Sequence, residues 1–309
     1  MDLRFPVGSE NGLSRCSSIT GRRSQIKNGF TLVEVLVVVS LLSLIVLALM
    51  AVFNSTQSAF RASVTQSDVL EGGRSAMDLI STDLRGMSSS LQRSNGAVNF
   101  YAAVPSGYLP LVQSLVASGQ SRTNVLENFF ILSRQNQTWT GTGYVVGTGS
   151  VSDINPLYRF SMSTNVASAD PWWLFYHFTN DVANDIANNS FTNMSRLMDG
   201  VVHLTVRAFD VNGGWMTNQL VFSGNQAATN RNTFYLQPAL GEVGFQMFSN
   251  TLPASVEIQM GVLEDRTLQR AESIPDLTAQ SNYLAQQSGK VHIFRQRVSI
   301  PNVDPAAYQ

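Results

Sequence analysis

Residues 30–53 read FTLVEVLVVVSLLSLIVLALMAVF, an apolar run whose only charge is Glu34. As a helix rising ~1.5 Å per residue the run is about 36 Å long, more than the ~30 Å hydrocarbon layer of a bilayer. It therefore predicts a transmembrane helix. Beyond it the pattern turns amphipathic: Phe60, Val64, Met77, Ile80, Leu84 and Met87 recur at intervals built from threes and fours. This predicts a helix extension over 54–90 that lays one apolar face on a head domain. The adjacent Gly72 and Gly73 predict a bend or a brief unwinding there, before Arg74 and Asp78 restart the pattern one turn apart.

After Ser88 the helical period gives way to short apolar or alternating runs separated by Gly, Asn, Ser and Pro, the signature of strands and turns. Strands are expected at 129–133, 143–146, 157–161, 172–178, 255–263 and 291–300. A hairpin is expected from 201–210, the turn Asn212-Gly213-Gly214, and 215–222. Within it Val202, Leu204, Val206 and Ala208 alternate with His203, Thr205 and Arg207, which predicts one buried and one wetter face. Residues 179–193 and 223–233 read as loops, 264–289 as an insertion with some helix, and 301–309 as a mobile tail. No repeat of solenoid period is present.

Charge sharpens the picture by its distribution. Arg4, Arg15, Arg22, Arg23 and Lys27 precede the apolar run against only Asp2 and Glu10, leaving 15 basic and 19 acidic residues after Gly29. A basic amino-terminal flank keeps that end cytoplasmic and sends the rest across the membrane. With 13% charged residues and a net charge of −1, the chain lacks the basic surface that nucleic-acid binding requires. The lone cysteine, Cys16, precedes Gly29, so a product starting at Phe30 has neither disulfide nor cysteine-based metal site.

A secretory signal peptide carries an apolar stretch of only ~7–15 residues before its cleavage site, shorter than this one. Nor does an ordinary signal anchor account for a glutamate one turn inside the run. Carboxylates within a membrane helix are unfavourable and are usually paired or functional. The segment Lys27-Asn28-Gly29-Phe30-Thr31-Leu32-Val33-Glu34-Val35 resembles, position by position, the prepilin motif of type IV pilins and type II secretion pseudopilins. The resemblance implies that a membrane peptidase cuts after Gly29 and that the new terminal Phe30 is N-methylated. It further implies that Glu34 pairs with the terminal amine of a neighbouring subunit during assembly. The 29-residue leader is longer than is common in that family, and a later start would need an alternative start codon, because no methionine lies between Met1 and Gly29.

The likeness extends into the head. Residues 200–206 (GVVHLTV), Asn212-Gly213-Gly214-Trp215 and 252–258 (LPASVEI), with the helix end 75–85, resemble J-type minor pseudopilins. Such subunits sit at the tip of the pseudopilus beside I- and K-type partners.

Markers of catalysis are missing. His177, His203 and His292 are far apart in sequence and form no paired-histidine metal motif, and there is no nucleophile elbow, phosphate-binding loop or dinucleotide fingerprint. His203 is read as a surface histidine. Asp210-Val211-Asn212-Gly213 is read as a turn, the pair Asp181 and Asp185 as a solvated face, and Trp172, Trp173, Phe175, Tyr176 and Phe178 as core.

The expected fold is α+β: a long amino-terminal transmembrane and amphipathic helix followed by an antiparallel β-rich, pseudopilin-like head. The expected organisation is a leader over 1–29, the membrane helix over 30–53, its extension over 54–90, the head over 91–300 and the tail over 301–309. The expected role is a structural minor pseudopilin, processed at Gly29 and Phe30 and assembled through Glu34, with no catalytic residues, metal or cofactor. Its partners would be the prepilin peptidase, I- and K-like subunits and the inner membrane, with the head periplasmic. A minor pilin of a type IV pilus or DNA-uptake system, or a pilin-anchored enzyme or binding module, are the alternatives.

Overall fold

The computed structural model describes residues 29–90, 97–115, 119–147, 154–166, 170–188, 190–217, 232–237 and 240–304. The leader up to residue 28, most of the 223–233 segment and the last five residues of the tail lie outside the described residues. The chain divides into two compact units, residues 1–58 and 59–309. Helix α1, Leu32–Arg85, runs through both.

In the first unit, α1 is solvent-exposed on every side, and Val, Leu and Ile dominate its surface. Such a helix is hydrophobic all round, as a membrane span is. It is long and apolar enough to cross a bilayer. Ser40 and Ser43 return their hydroxyls to the carbonyls of Val37 and Val39, so neither leaves a polar hydrogen unpaired.

The second unit is a β-rich head. Its strands are β1 (Val98–Ala103), β2 (Leu111–Leu115), β3 (Gln120–Asn124), β4 (Asn128–Gln135), β5 (Thr138–Val146), β6 (Asn155–Asn165), β7 (Ser195–Phe209), β8 (Thr233–Gln237), β9 (Glu242–Phe248), β10 (Ser255–Leu263) and β11 (Val291–Ser299). Nine of them form one antiparallel sheet in the order β11-β10-β7-β6-β5-β4-β1-β9-β8, and β2 and β3 form a separate hairpin. Helix α2 (Trp172–Asn188) lies between β6 and β7 in sequence, and α3 (Asp265–Glu272) and α4 (Leu277–Ala285) lie between β10 and β11.

Period-two alternation shows how the central sheet is covered. In β4, Phe129 and Ile131 join the cluster that contains Met77, Ile80, Leu84 and Met87 of the α1 end, while Phe130 and Leu132 join Leu174, Phe178 and Val182 of α2. The apolar run 129–132 is thus a strand buried on both faces between two helical layers. The α1 end is also tied by charge, since Asp83 accepts from Arg159 Nε and Nη2 at 2.9 and 3.1 Å and from the Tyr144 hydroxyl.

Several expectations are corrected. Residues 172–178, read as a strand, form the start of α2, and the 179–193 loop is helical as far as Asn188. The buried positions Leu174, Phe178, Val182 and Asp185 recur at four, four and three, a helical period hidden by neighbouring aromatics that also favour strands. No unwinding occurs at Gly72-Gly73: α1 is continuous, and a Cβ on Gly73 would stand 2.3 Å from the Phe294 ring of β11. Phe60 and Val64 of the apolar stripe are exposed, whereas Met77, Ile80, Leu84 and Met87 are buried. The expected hairpin closes as far as the described residues go, and its first strand belongs to the longer β7, which also pairs with β6 and β10. Beyond the turn, Trp215 bridges Phe209 and Met216 N–H bonds Ala208 O, and 218–222 lie outside the described residues. The tail begins in contact, with Asn302 Nδ2 donating to Met87 O at 2.9 Å.

Candidate functional site

The first turn of α1 gathers the residues singled out for processing and assembly. Gly29 and Phe30 precede the helix in an exposed stretch, with open space where a Cβ on Gly29 would lie. A peptide bond outside a helix, flanked by a glycine, is accessible to a protease that must grip extended backbone. Thr31 is the N-cap. Its hydroxyl accepts from Glu34 N at 3.3 Å, while Glu34 Oε2 accepts from Thr31 N at 2.9 Å and from the Thr31 hydroxyl at 3.0 Å. This reciprocal pair is a capping box, which satisfies two of the orphan N–H donors that open any helix.

Glu34 therefore has a partner within its own chain, and the Thr-x-x-Glu spacing was the signal for it. Both contacts fall on Oε2. Among the described residues Oε1 has no hydrogen-bond partner and is free to meet a second cation. The capping box also fixes the carboxylate beside the amino terminus that cleavage after Gly29 would create.

The head holds a second polar concentration that sequence reasoning missed. Arg207 of β7 donates to Glu242 of β9 at 2.9 and 2.5 Å, and its guanidinium lies 5.0 Å from the Trp215 ring. Neighbouring Glu257 of β10 accepts from Arg295 at 2.9 Å. Hydrogen bonding to Glu242, opposed by burial, holds the Arg207 guanidinium above its usual range. Glu127 is fully buried between β3 and β4. Its Oε2 accepts from Val206 N at 2.6 Å, and its Oε1 has no hydrogen-bond partner among the described residues. Burial pushes its carboxyl well above the carboxylate range, with the Val206 amide opposing. No local pattern marks such a residue, because its burial comes from strands distant in sequence.

The three histidines do not converge. His203 is buried rather than on a wet face: its Nδ1 accepts from Val125 N at 3.1 Å, and burial, then the charges of Arg122 and Arg207, lower its pKa to about 4. His292 Nε2 lies 3.3 Å from Glu264, and His177 packs against Trp173. Asp210 Oδ1 accepts from the amides of Asn212 and Gly214, closing the turn expected there. Asp185, read as solvated, is buried, and burial together with Asp181 raises its pKa. Among the described residues no three His, Cys, Asp or Glu side chains cluster to hold a metal. The aromatic cluster divides: Phe178 is buried, while Trp172, Trp173 and Tyr176 are exposed.

Residues 25–50 match the family model described as the prokaryotic N-terminal methylation motif. The match covers the end of the leader, the Gly29–Phe30 bond, the capping box and most of the apolar run, and it supports a pilin or pseudopilin type of subunit. Neither the curated proteins nor the solved structures contain a match to the chain.

Proposed function

We propose that this protein is a structural minor pseudopilin of the J type, a scaffold at the tip of a type II secretion pseudopilus rather than an enzyme. It is made as a precursor, cut between Gly29 and Phe30 on the cytoplasmic side and methylated on Phe30. The 30–53 helix then holds it in the inner membrane, with the head in the periplasm, until it is extracted into a short fibre beside I- and K-like subunits. The observation that carries this reading is the methylation motif opening directly into an apolar helix, with Glu34 fixed at its first turn.

Two features of the head favour the J-type assignment. The strings 200–206 and 252–258 that carry the resemblance meet in space, with Val206 opposite Ile258 in the β7–β10 ladder. Trp215, from the string 212–215, lies against the guanidinium of Arg207 of β7.

The test is the intact mass of the protein extracted from membranes. A chain that begins at Phe30 and carries one added methyl group is expected, and Gly29→Leu should leave the longer precursor inserted and uncut. A mature chain beginning at Met1, or downstream of residue 53, would overturn the proposal.

A further inference from the structure

The outward face of α2 is chemically out of place on a surface helix. Its inner face buries Leu174, Phe178 and Val182 against β5 and β6. The outer face presents Trp172, Trp173 and Tyr176, which are 40%, 41% and 49% exposed, and continues through Asn180 and Asn184, one and two turns beyond Tyr176. Surface helices are ordinarily filled by strong helix formers with charged heads, whereas asparagine disfavours a helix interior relative to alanine. Large aromatics left in water give up the burial that normally justifies them. Both departures fall on the same face of the same helix.

The rings form one patch. Trp172 meets Trp173 edge-on at 5.7 Å and Tyr176 at 5.9 Å, while Trp173 and Tyr176 lie near-parallel, 24° apart, at 5.8 Å. Each is a rigid surface with an apolar face and a polar tip. Among the described residues neither indole N–H nor the Tyr176 hydroxyl makes a hydrogen bond, and the carboxamides of Asn180 and Asn184 are equally uncommitted. Each carboxamide offers two donors and an acceptor. Helix α2 contains no lysine or arginine; its own two carboxylates, Asp181 and Asp185, are half-buried and buried, and Asp170 lies just before its first turn.

We infer that this face is a binding platform for a neutral oligosaccharide. Pyranose rings present apolar C–H faces that stack on aromatic rings and a rim of hydroxyls that carboxamides can both donate to and accept from. An uncharged face suits an uncharged ligand. A bilayer surface also attracts Trp and Tyr, but juxtamembrane surfaces that hold anionic headgroups do so with lysine and arginine, which α2 lacks. The inference is independent of the pseudopilin reading.

The test uses the full chain in zwitterionic micelles, titrated separately with chitotetraose, cellotetraose and maltotetraose and followed by tryptophan fluorescence. Saturable quenching or a blue shift with at least one of them is expected. Trp173→Ala should weaken that binding at least tenfold, and Asn180→Ala with Asn184→Ala at least threefold, with the thermal midpoint of the double variant no lower than that of the wild type. The asparagine pair keeps the inference testable if loss of the indole disturbs folding. No response to any of the three sugars, a response that survives in both variants, or a shift produced only by phosphatidylcholine vesicles would overturn it.

Discussion

At the scale of single residues, two buried titratable groups make opposite demands on the fold. His203 is held neutral, with an unfolded pKa of ~6.5 and a folded pKa lowered to about 4. As pH falls through that interval the unfolded chain takes up a proton that the folded chain refuses, so stability is lost on acidification, by on the order of 3 kcal/mol in full. Glu127 behaves in the reverse sense. Its folded pKa is raised by burial, so the folded chain keeps a proton that the unfolded chain releases above ~4.3, and stability is lost as pH rises from there. The two slopes oppose each other near pH 5. Urea midpoints should therefore vary little around pH 5 in the wild type. They should fall with rising pH in His203→Asn, which keeps an acceptor for Val125 N–H, and rise with pH in Glu127→Gln. Parallel slopes in both variants would refute this division of labour.

At the scale of elements, the contact between α1 and β11 gives adjacent glycines opposite roles. A Cβ on Gly72 would meet open space, whereas one on Gly73 would stand inside the Phe294 ring. Gly72→Ala should then stabilise the head by about 0.5–1 kcal/mol, through helix propensity and lower unfolded-state entropy. Gly73→Ala gains the same term but overpacks the interface, which costs about 1–3 kcal/mol, so its net effect should be destabilising. Adding Phe294→Leu to Gly73→Ala should recover part of the loss. Thermal unfolding of the three variants checks the order. The Gly-Gly pair was legible in the sequence, but what it does was not: a bend and a close approach require the same residues, and only the ring packed from β11 separates them.

At the scale of the whole molecule, the proposed function makes Glu34 the residue that connects the chain to its assembly. The Glu34→Leu substitution removes a charge from an apolar helix, so insertion should be at least as favourable. The Thr31 hydroxyl can still accept from the backbone amide of residue 34, so the helix should begin at the same place and cleavage after Gly29 should persist. The loss should appear between subunits, where Oε1 would no longer meet a terminal amine. Crosslinking to I- and K-like partners and incorporation into the fibre should both fall, with processing unchanged. Unaltered crosslinking and secretion in that strain would reduce Glu34 to a capping residue alone.

What the sequence determined by itself is whatever rests on local period and local chemistry. The apolar run, its basic flank, the methylation motif and strands such as β4, β5, β10 and β11 are of this kind, each written within a short stretch of chain. Even the capping box was there to be read, in the spacing of Thr31 and Glu34. Tertiary structure decided which faces are covered. His203 and Thr205 alternate with apolar neighbours as the wet side of a strand would, yet both are buried, and the segment leading to Glu127 runs alongside β7, with Val125 N–H donating to His203 and Leu204 exchanging backbone hydrogen bonds with Val125 and Glu127. The aromatic start of α2 fits a strand as well as a helix until one side packs on β5 and β6 and the other is left to solvent. Burial is a property of the assembled layers, set here by segments 78 and 79 residues apart, and no window along the chain contains it.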